Sequence, residues 1–446
     1  MKEAKNLGEL KKNGHPVLTV REEMRKNLVH YLETATRILP GIVGYDDTVI
    51  PDIENAILSG HHMVFLGERG QAKSRVIRGL VSLLDERIPI VQGCEISDNP
   101  CAPICRSCRR RLEKEGDALP VEWIGREQRY GEKLATPDVS IADIIGEIDP
   151  IKVAEGRYLA DEETIHYGLI PRTNRGIFAI NELPDLTEKV QVGLFNLMEE
   201  KDVQIKGYKI RLPLDVVIVA SANPEDYTSR GRIITPLKDR FDVQIRTHYP
   251  RTIQDELLIM EQEAAPSSQR SKPVQVPQFM KEILGYMTFE ARKSNEINQT
   301  SGVSVRVTIN NYESIISNAE KRSLRLREGE VVPRISDLHS VLASTGGKIE
   351  MEYVGEEKKE DELVEKLLNR AIVKVFDQYF SINSLQKVVD YFNSGWGVEV
   401  SDTMPSQDYL EGIKEIPGLK EAIGSLGPLE SPALMASATE FILEGL

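Results

Sequence analysis

The stretch HHMVFLGERGQAKSR, residues 61–75, constrains the fold most. MVFL is short, apolar and closed by a glycine, the pattern of a buried strand, and AKSRVIRGLVSLLDE carries apolar residues at helical spacing. Strand, glycine-bearing loop and helix, in that order, make a phosphate-binding loop. Backbone N–H groups at the helix N-terminus surround the phosphates, a lysine neutralises their outer charge, and the next hydroxyl meets magnesium. Gly67, Glu68, Arg69, Gly70, Gln71, Ala72, Lys73, Ser74 and Arg75 fill these positions. Ala72 stands where glycine is usual, so its methyl group is expected to crowd a close backbone approach. The plain alternative is a strand-to-helix turn with an exposed lysine.

Three later stretches supply what nucleotide hydrolysis needs. RGIFAINE reads as a strand ending at Asn181-Glu182, with Glu182 as the base that activates water. Asn181 sits where an aspartate is customary, and a neutral amide holds magnesium or its water less strongly than a carboxylate does. Ser74 and Asn181 are therefore the magnesium candidates. LDVVIVASANP reads as a buried strand ending in Asn223, whose amide would hold the attacking water or touch the terminal phosphate. TPLKDRFDVQI puts Arg240 on a short helix before a strand, placed to reach a neighbouring subunit's nucleotide. In isolation such an arginine is a surface ion-pair partner. The ordered set is what argues for a nucleotide site.

Around these segments, strands alternate with helices, which indicates a mainly parallel sheet covered on both faces. Helices are expected over 20–38 and 46–59, a strand at IPIVQG (88–93), and a cysteine-bearing, charged break to about 135. VQIKGYKIRLP reads as a hairpin. From about 250 the pattern is helical, with helices near 252–263, 277–294, 303–323 and 335–344 and an acidic segment at 352–362. Acidic residues outnumber basic ones 70 to 56, so a broad grip on nucleic acid is not expected. The N-terminus lacks an apolar signal core and no eighteen apolar residues run together, so no membrane span and a cytoplasmic location are expected.

Taken together, GIVGYD (41–46), LGERGQAKSR, IADIIGEIDP (141–150), HYGLIPRTNRGIFAINELPDL, VQIKGYKIRLPLDVVIVASANPED, LKDRFD (237–242) and GVSVR (302–306) resemble the AAA+ ATPases. The resemblance is to the magnesium-chelatase ATPase-subunit type, the clade with an insert in the second helix, and it spans about residues 40–310. It implies an α/β fold: a P-loop AAA+ core with a parallel sheet sandwiched by helices, an α-helical lid and an α-helical C-terminal extension. The corresponding domains are 1–250, with a cysteine-rich insert at about 94–130, then 251–345 and 346–446. It further implies Val43 and Gly44 near the adenine, Asn223 as first sensor, Arg240 as a finger acting in trans, and Arg306 of GVSVR as second sensor. GEIDP with GRYLADEETIHYGLIPRTNRG resembles the insert hairpin. ATP and magnesium are the implied cofactors. A hexameric ring and a protein partner, one type of which carries an integrin-like metal-binding domain, are the implied associations. Two other readings stay open: an ATP-binding scaffold without turnover, and a transcription activator of the enhancer-binding type. The GAFTGA loop of the latter is absent from the sequence.

The four cysteines all fall between 94 and 108, which points to metal or redox chemistry rather than a disulfide framework. Cys94, Cys101, Cys105 and Cys108 would close a zinc site, and Cys101 to Cys108 also fits an iron–sulfur spacing. Zinc is the favoured reading, and four reduced thiols in a loop the plain one. Arg106, Arg109, Arg110 and Arg111 beside them read as a solvated face. His61-His62 is not expected to be a metal pair, because adjacent side chains of an extended segment point opposite ways.

Overall fold

A computed structural model describes residues 3–154, 162–200, 202–205, 208–223, 231–265, 270–299, 301–351, 357–398, 400–401, 403–427 and 430–446. The chain divides into two compact units, Met1–Glu68 with Ala72–His248, and Arg69–Gln71 with Tyr249–Leu446.

In chain order, the strands of the first unit are β1 (Met63–Leu66), β2 (Arg87–Val91), β3 (Val121–Gly125), β4 (Tyr130–Leu134), β5 (Gly146–Ile148) and β6 (Ile165–Tyr167). They continue as β7 (Gly176–Asn181), β8 (Asp202–Ile205), β9 (Tyr208–Arg211), β10 (Val216–Ala222) and β11 (Val243–Arg246). Five of them form one sheet in the order β11-β1-β10-β7-β4, every neighbouring pair parallel. The expected α/β class follows from how these strands are written. Met63, Phe65, Ile177, Ala179, Val217 and Val219 pack into a core on one face, and Val64, Phe178, Ile180, Ile218 and Ala220 into a core on the other. Both faces being buried, the strands read as continuous apolar runs rather than alternating ones.

Helix Val20–Glu33 covers the first face and starts at a reciprocal cap. Thr19 accepts the Glu22 N–H at 3.3 Å, while the Glu22 carboxylate accepts the Thr19 N–H at 2.8 Å. It ends at Glu33, capped by Thr34, short of the expected 38. The helix expected over 46–59 forms as Val49–Ser59 and stops at Gly60 in the left-handed conformation. His62 is buried, as its expected structural role requires: its Nδ1 accepts the Ile218 N–H at 3.0 Å and Arg21 lies 2.8 Å from its Nε2.

IPIVQG does form a strand, β2, but outside the five-stranded sheet. It pairs antiparallel with β3, and the charged segment YGEKL supplies the sheet's edge strand β4 instead. Arg129 fixes this arrangement. Its guanidinium is fully buried and makes two hydrogen bonds to Glu23, at 2.7 and 2.6 Å, while its Nε–H donates to the Arg175 carbonyl at 2.8 Å. A Cβ at Gly176 would collide with the Arg129 carbonyl oxygen, so the chain needs glycine where β7 begins.

The insert hairpin is present as β5 paired with β6, and VQIKGYKIRLP as β8 paired with β9. Residues 155–161, 206–207, 224–230 and 352–356, which belong to the expected hairpins, the stretch after Asn223 and the acidic segment, lie outside the described residues.

The second unit is mainly helical. Helices expected near 252–263, 277–294 and 303–323 form as Ile253–Glu263, Gln278–Ala291 and Arg306–Leu326, and 335–344 as a 3₁₀ turn, Ile335–Ser340, running into Val341–Thr345. Glu357–Tyr379 and four shorter helices follow, and all share one apolar core. The buried Glu256 is satisfied by Arg292 at 2.8 and 3.2 Å and by Thr308 at 2.6 Å. Among the described residues no helix is long and apolar enough to cross a membrane.

Candidate functional site

Three parallel strands end side by side, β1 running into a glycine loop and β7 and β10 into polar residues. β1 runs into the glycine loop, whose Gly67 N–H donates to the Ala222 carbonyl at 3.2 Å. β7 ends in Asn181 and Glu182, and β10 is followed by Asn223. Lys73 opens helix Lys73–Gly79 and is buried. Its ammonium donates to the carbonyl of Gly67, to that of Glu68 at 2.8 Å and to Asn223 Oδ1 at 2.6 Å. Asn223 Nδ2 in turn donates to Glu182 Oε2 at 2.7 Å. A continuous polar chain therefore links Lys73, Asn223 and Glu182, which are far apart in sequence.

Two non-glycine residues here hold left-handed backbone. Ala72, the N-cap of helix Lys73–Gly79, has φ 55° and ψ 14°, and Glu182 has φ 56° and ψ 48°. Such conformations cost an L-residue about 1–2 kcal/mol. At Ala72 the burden proves to be backbone strain, since its methyl group is exposed.

Asn181 has a partner that the sequence did not reveal. Its Nδ2 donates to Glu132 Oε1 of β4 at 2.5 Å, and its Oδ1 accepts from Ser221 at 3.3 Å and Ser74 at 3.5 Å. Glu132 is also held by Arg78, Nε to Oε2 and Nη2 to Oε1, both at 2.9 Å. Hydrogen bonds from Arg78, and secondarily from Asn181, hold the Glu132 carboxyl below its usual range against the effect of partial burial. The neighbouring strand thus places a carboxylate beside the Asn181 amide. An aspartate at 181 would set two carboxylates against each other. β4 lies in the segment read as a break, so only its register beside β7, Glu132 opposite Ala179 and Leu134 opposite Asn181, exposes the pairing.

Val43 and Gly44, the latter at φ 77°, precede the buried Tyr45. The Tyr45 hydroxyl donates to the His248 carbonyl at 3.0 Å, and burial raises its pKa to about 12. Arg240 ends helix Thr235–Arg240, forms an ion pair with Glu199 at 2.7 Å and lies over the Phe195 ring. Arg306, the first residue of its helix, is exposed, and its N–H donates to Ser304 Oγ at 3.2 Å. Arg69, Gly70 and Gln71 group with the second unit, whereas Glu68, Ala72, Lys73, Ser74 and Arg75 belong to the first.

The cysteines converge differently from expectation. Ligand atoms of Cys94, Asp98, Cys105 and Cys108 lie within 4.8 Å of one another, and Cys101 is not part of that group. Cys101 lies ahead of the turn that carries Cys105 to the start of helix Arg106–Glu115, where the loop instead brings in Asp98. Hydrogen bonds from the Cys105 and Cys108 thiols pull the Cys94 thiol down to about 3. Cysteine spacing carries no signal for Asp98, which the fold of the loop brings in.

The family model described as the Sigma-54 interaction domain matches residues 153–243. Magnesium-chelatase subunit ChlI of Nostoc sp. is 28% identical over 217 residues, 46% of this chain and 53% of that protein. The magnesium-chelatase 38 kDa subunit of Rhodobacter capsulatus is 27% identical over 226 residues, 48% of this chain and 56% of that protein. The chain thus spans about half the length of these curated relatives. Among solved structures, a model of the complex between subunits BchI and BchD of magnesium chelatase is 20% identical, with a TM-score of 0.36, and covers 73% of this chain and 97% of that one. The similarity drawn from the motifs, to AAA+ proteins of the magnesium-chelatase type, is the one these relatives carry.

Proposed function

We propose that this chain, an AAA+-type protein similar to magnesium-chelatase subunits, binds ATP with magnesium and hydrolyses it to ADP and phosphate, using the turnover to remodel a protein partner. The observation that carries the reading is the chain of hydrogen bonds from Lys73 through Asn223 to Glu182, built from three strand ends. Lys73, with the backbone N–H groups at the start of its helix, would hold the phosphates. Ser74 and Asn181, with Glu132 behind them, fit a magnesium ion, which when bound neutralises charge on the β- and γ-phosphates. Glu182 accepts a proton from water as the water oxygen bonds to the γ-phosphorus and the bond to the ADP oxygen breaks. Asn223, already joined to both neighbours, orients that water or the γ-phosphate.

In this reading Val43 and Gly44 sit near the adenine, Arg306 senses the γ-phosphate from a lid at 251–345, and 346–446 is an extension. Arg240 exchanges Glu199 for a neighbouring subunit's nucleotide, which calls for a homo-oligomeric, hexameric ring. A partner with an integrin-like metal-binding domain and a cytoplasmic location belong to the same proposal. The enhancer-binding activator reading is not favoured, since the GAFTGA loop is missing. Steady-state phosphate release from the full chain tests the proposal. Glu182→Gln is expected to abolish turnover, and equal rates in the variant and the parent chain would leave the scaffold reading standing.

A further inference from the structure

The structure assigns a divalent zinc site to Cys94, Asp98, Cys105 and Cys108, three thiolates and one carboxylate, with Cys101 outside it. This inference is independent of the nucleotide site.

Around one tetrahedral zinc with Zn–S bonds of about 2.3 Å, ligand atoms sit about 3.8 Å apart. The four atoms here already lie within 4.8 Å of each other, so closure needs only small side-chain rotations. An iron–sulfur cluster holds its thiolates farther apart, because several irons and sulfides lie between them. The C-x3-C-x2-C reading also required Cys101, which the fold leaves out. Three thiolates equally disfavour calcium or magnesium, which prefer an all-oxygen shell.

The surroundings are those of a metal knuckle rather than of loose thiols. The Cys108 N–H donates to Cys105 Sγ at 3.3 Å, and the Asp98 N–H to Cys94 Sγ at 3.5 Å, both bonds that favour thiolate sulfur. Asp98 is 1% exposed. Its two oxygens accept the N–H groups of Ile104, at 3.1 Å, and Cys105, at 2.9 Å, which aims the carboxylate and leaves a lone pair on each oxygen. Among the described residues no lysine or arginine forms an ion pair with it. A buried carboxylate without an ion-pair partner is costly even with Arg175 in electrostatic reach, and a metal ion bound to it would supply the balancing charge directly. A cavity of about 360 Å³ lined by Cys94, Cys105, Cys108, Arg111 and Tyr167 gives the ion a way in.

The site's place in the fold defines its role. Ile96, between Cys94 and Asp98, accepts a hydrogen bond from Asn174 Nδ2 at 3.0 Å, and Asn174 Oδ1 accepts the Asp215 N–H at 2.9 Å. Asn174 and Asp215 precede β7 and β10, at the ends opposite Glu182 and Asn223. Glu162, at the foot of β6, accepts the Arg106 N–H at 2.7 Å. The ion thus fastens the insert to the starts of two central strands and to the foot of the insert hairpin. It is a structural staple, away from the reacting phosphate.

The test is zinc content and zinc X-ray absorption of the full chain, purified under reducing conditions and given zinc alone. The expected result is one zinc per chain, with three sulfur scatterers at about 2.3 Å and one light scatterer at about 2.0–2.2 Å. Cys101→Ser is expected to keep the ion and the same spectrum, while Cys105→Ser binds it about 100-fold more weakly or worse. A four-sulfur shell, loss of zinc in Cys101→Ser, bound iron with sulfide, or no bound zinc would each overturn the assignment. The wild-type spectrum decides the matter even if Cys105→Ser fails to fold.

Discussion

Replacing Glu132 by glutamine isolates the carboxylate proposed to stand behind Asn181 in the magnesium site. The structure sets two magnitudes. As an ion pair, Glu132 and Arg78 lie at the surface, the arginine side chain 63% exposed, so breaking it costs stability less than about 1 kcal/mol. As the residue that braces Asn181, Glu132 would belong to the outer shell of the proposed magnesium site, where losses of about 10–100-fold in metal affinity are usual, or about 1.4–2.7 kcal/mol. The two effects separate cleanly in a magnesium titration of ATP binding and phosphate release, run beside urea unfolding. Glu132→Gln is expected to unfold nearly as the parent does but to need far more magnesium. Asn181→Asp alone places two carboxylates where 2.5 Å now separates an amide from a carboxylate, so one must stay protonated. The double change E132Q/N181D moves the charge to position 181 and is expected to recover most of the magnesium affinity. Unchanged magnesium dependence in Glu132→Gln would refute the reasoning, as would a double variant no better than the single one.

Ala72→Gly relieves a left-handed conformation worth about 1–2 kcal/mol, partly offset by the freer unfolded glycine, so chemical unfolding is expected to show a net gain of about 1 kcal/mol. Burial first, and then the charge of Arg21, lower the His62 pKa to about 4. The unfolded chain therefore binds the extra proton between about pH 6.5 and 4, and stability present above 6.5 is lost as pH falls, by on the order of 2 kcal/mol at pH 5. His62→Asn, compared in urea at pH 7 and pH 5, is expected to remove that part of the slope. If Arg240 acts in trans, inactive Arg240→Ala and inactive Lys73→Ala chains are expected to regain phosphate release when mixed, and no recovery at any ratio would return Arg240 to its Glu199 ion pair.

What the sequence made legible was what is written locally. The apolar runs of β1, β7 and β10, the glycine loop after the first and the polar residues closing the other two announce themselves, and these strands put Lys73, Glu182 and Asn223 together. Hidden from it were pairings set by register. YGEKL has too few apolar residues to read as a strand, because β4 is an edge strand half open on its faces. β2 carries the apolar signature of a central strand and is diverted to pair with β3. The metal cluster shows the same limit, since cysteine spacing named four thiols and the loop's hydrogen bonds chose Asp98 over Cys101.

Central to the account is that Lys73 and Glu182 address one ATP, the first holding it and the second breaking it. Equilibrium binding of ATP with magnesium to variants of the chain tests this directly. Glu182→Gln is predicted to bind ATP at least as well as the parent chain, and Lys73→Ala to lose binding. Full binding by Lys73→Ala, or loss of binding by Glu182→Gln alone, would contradict it.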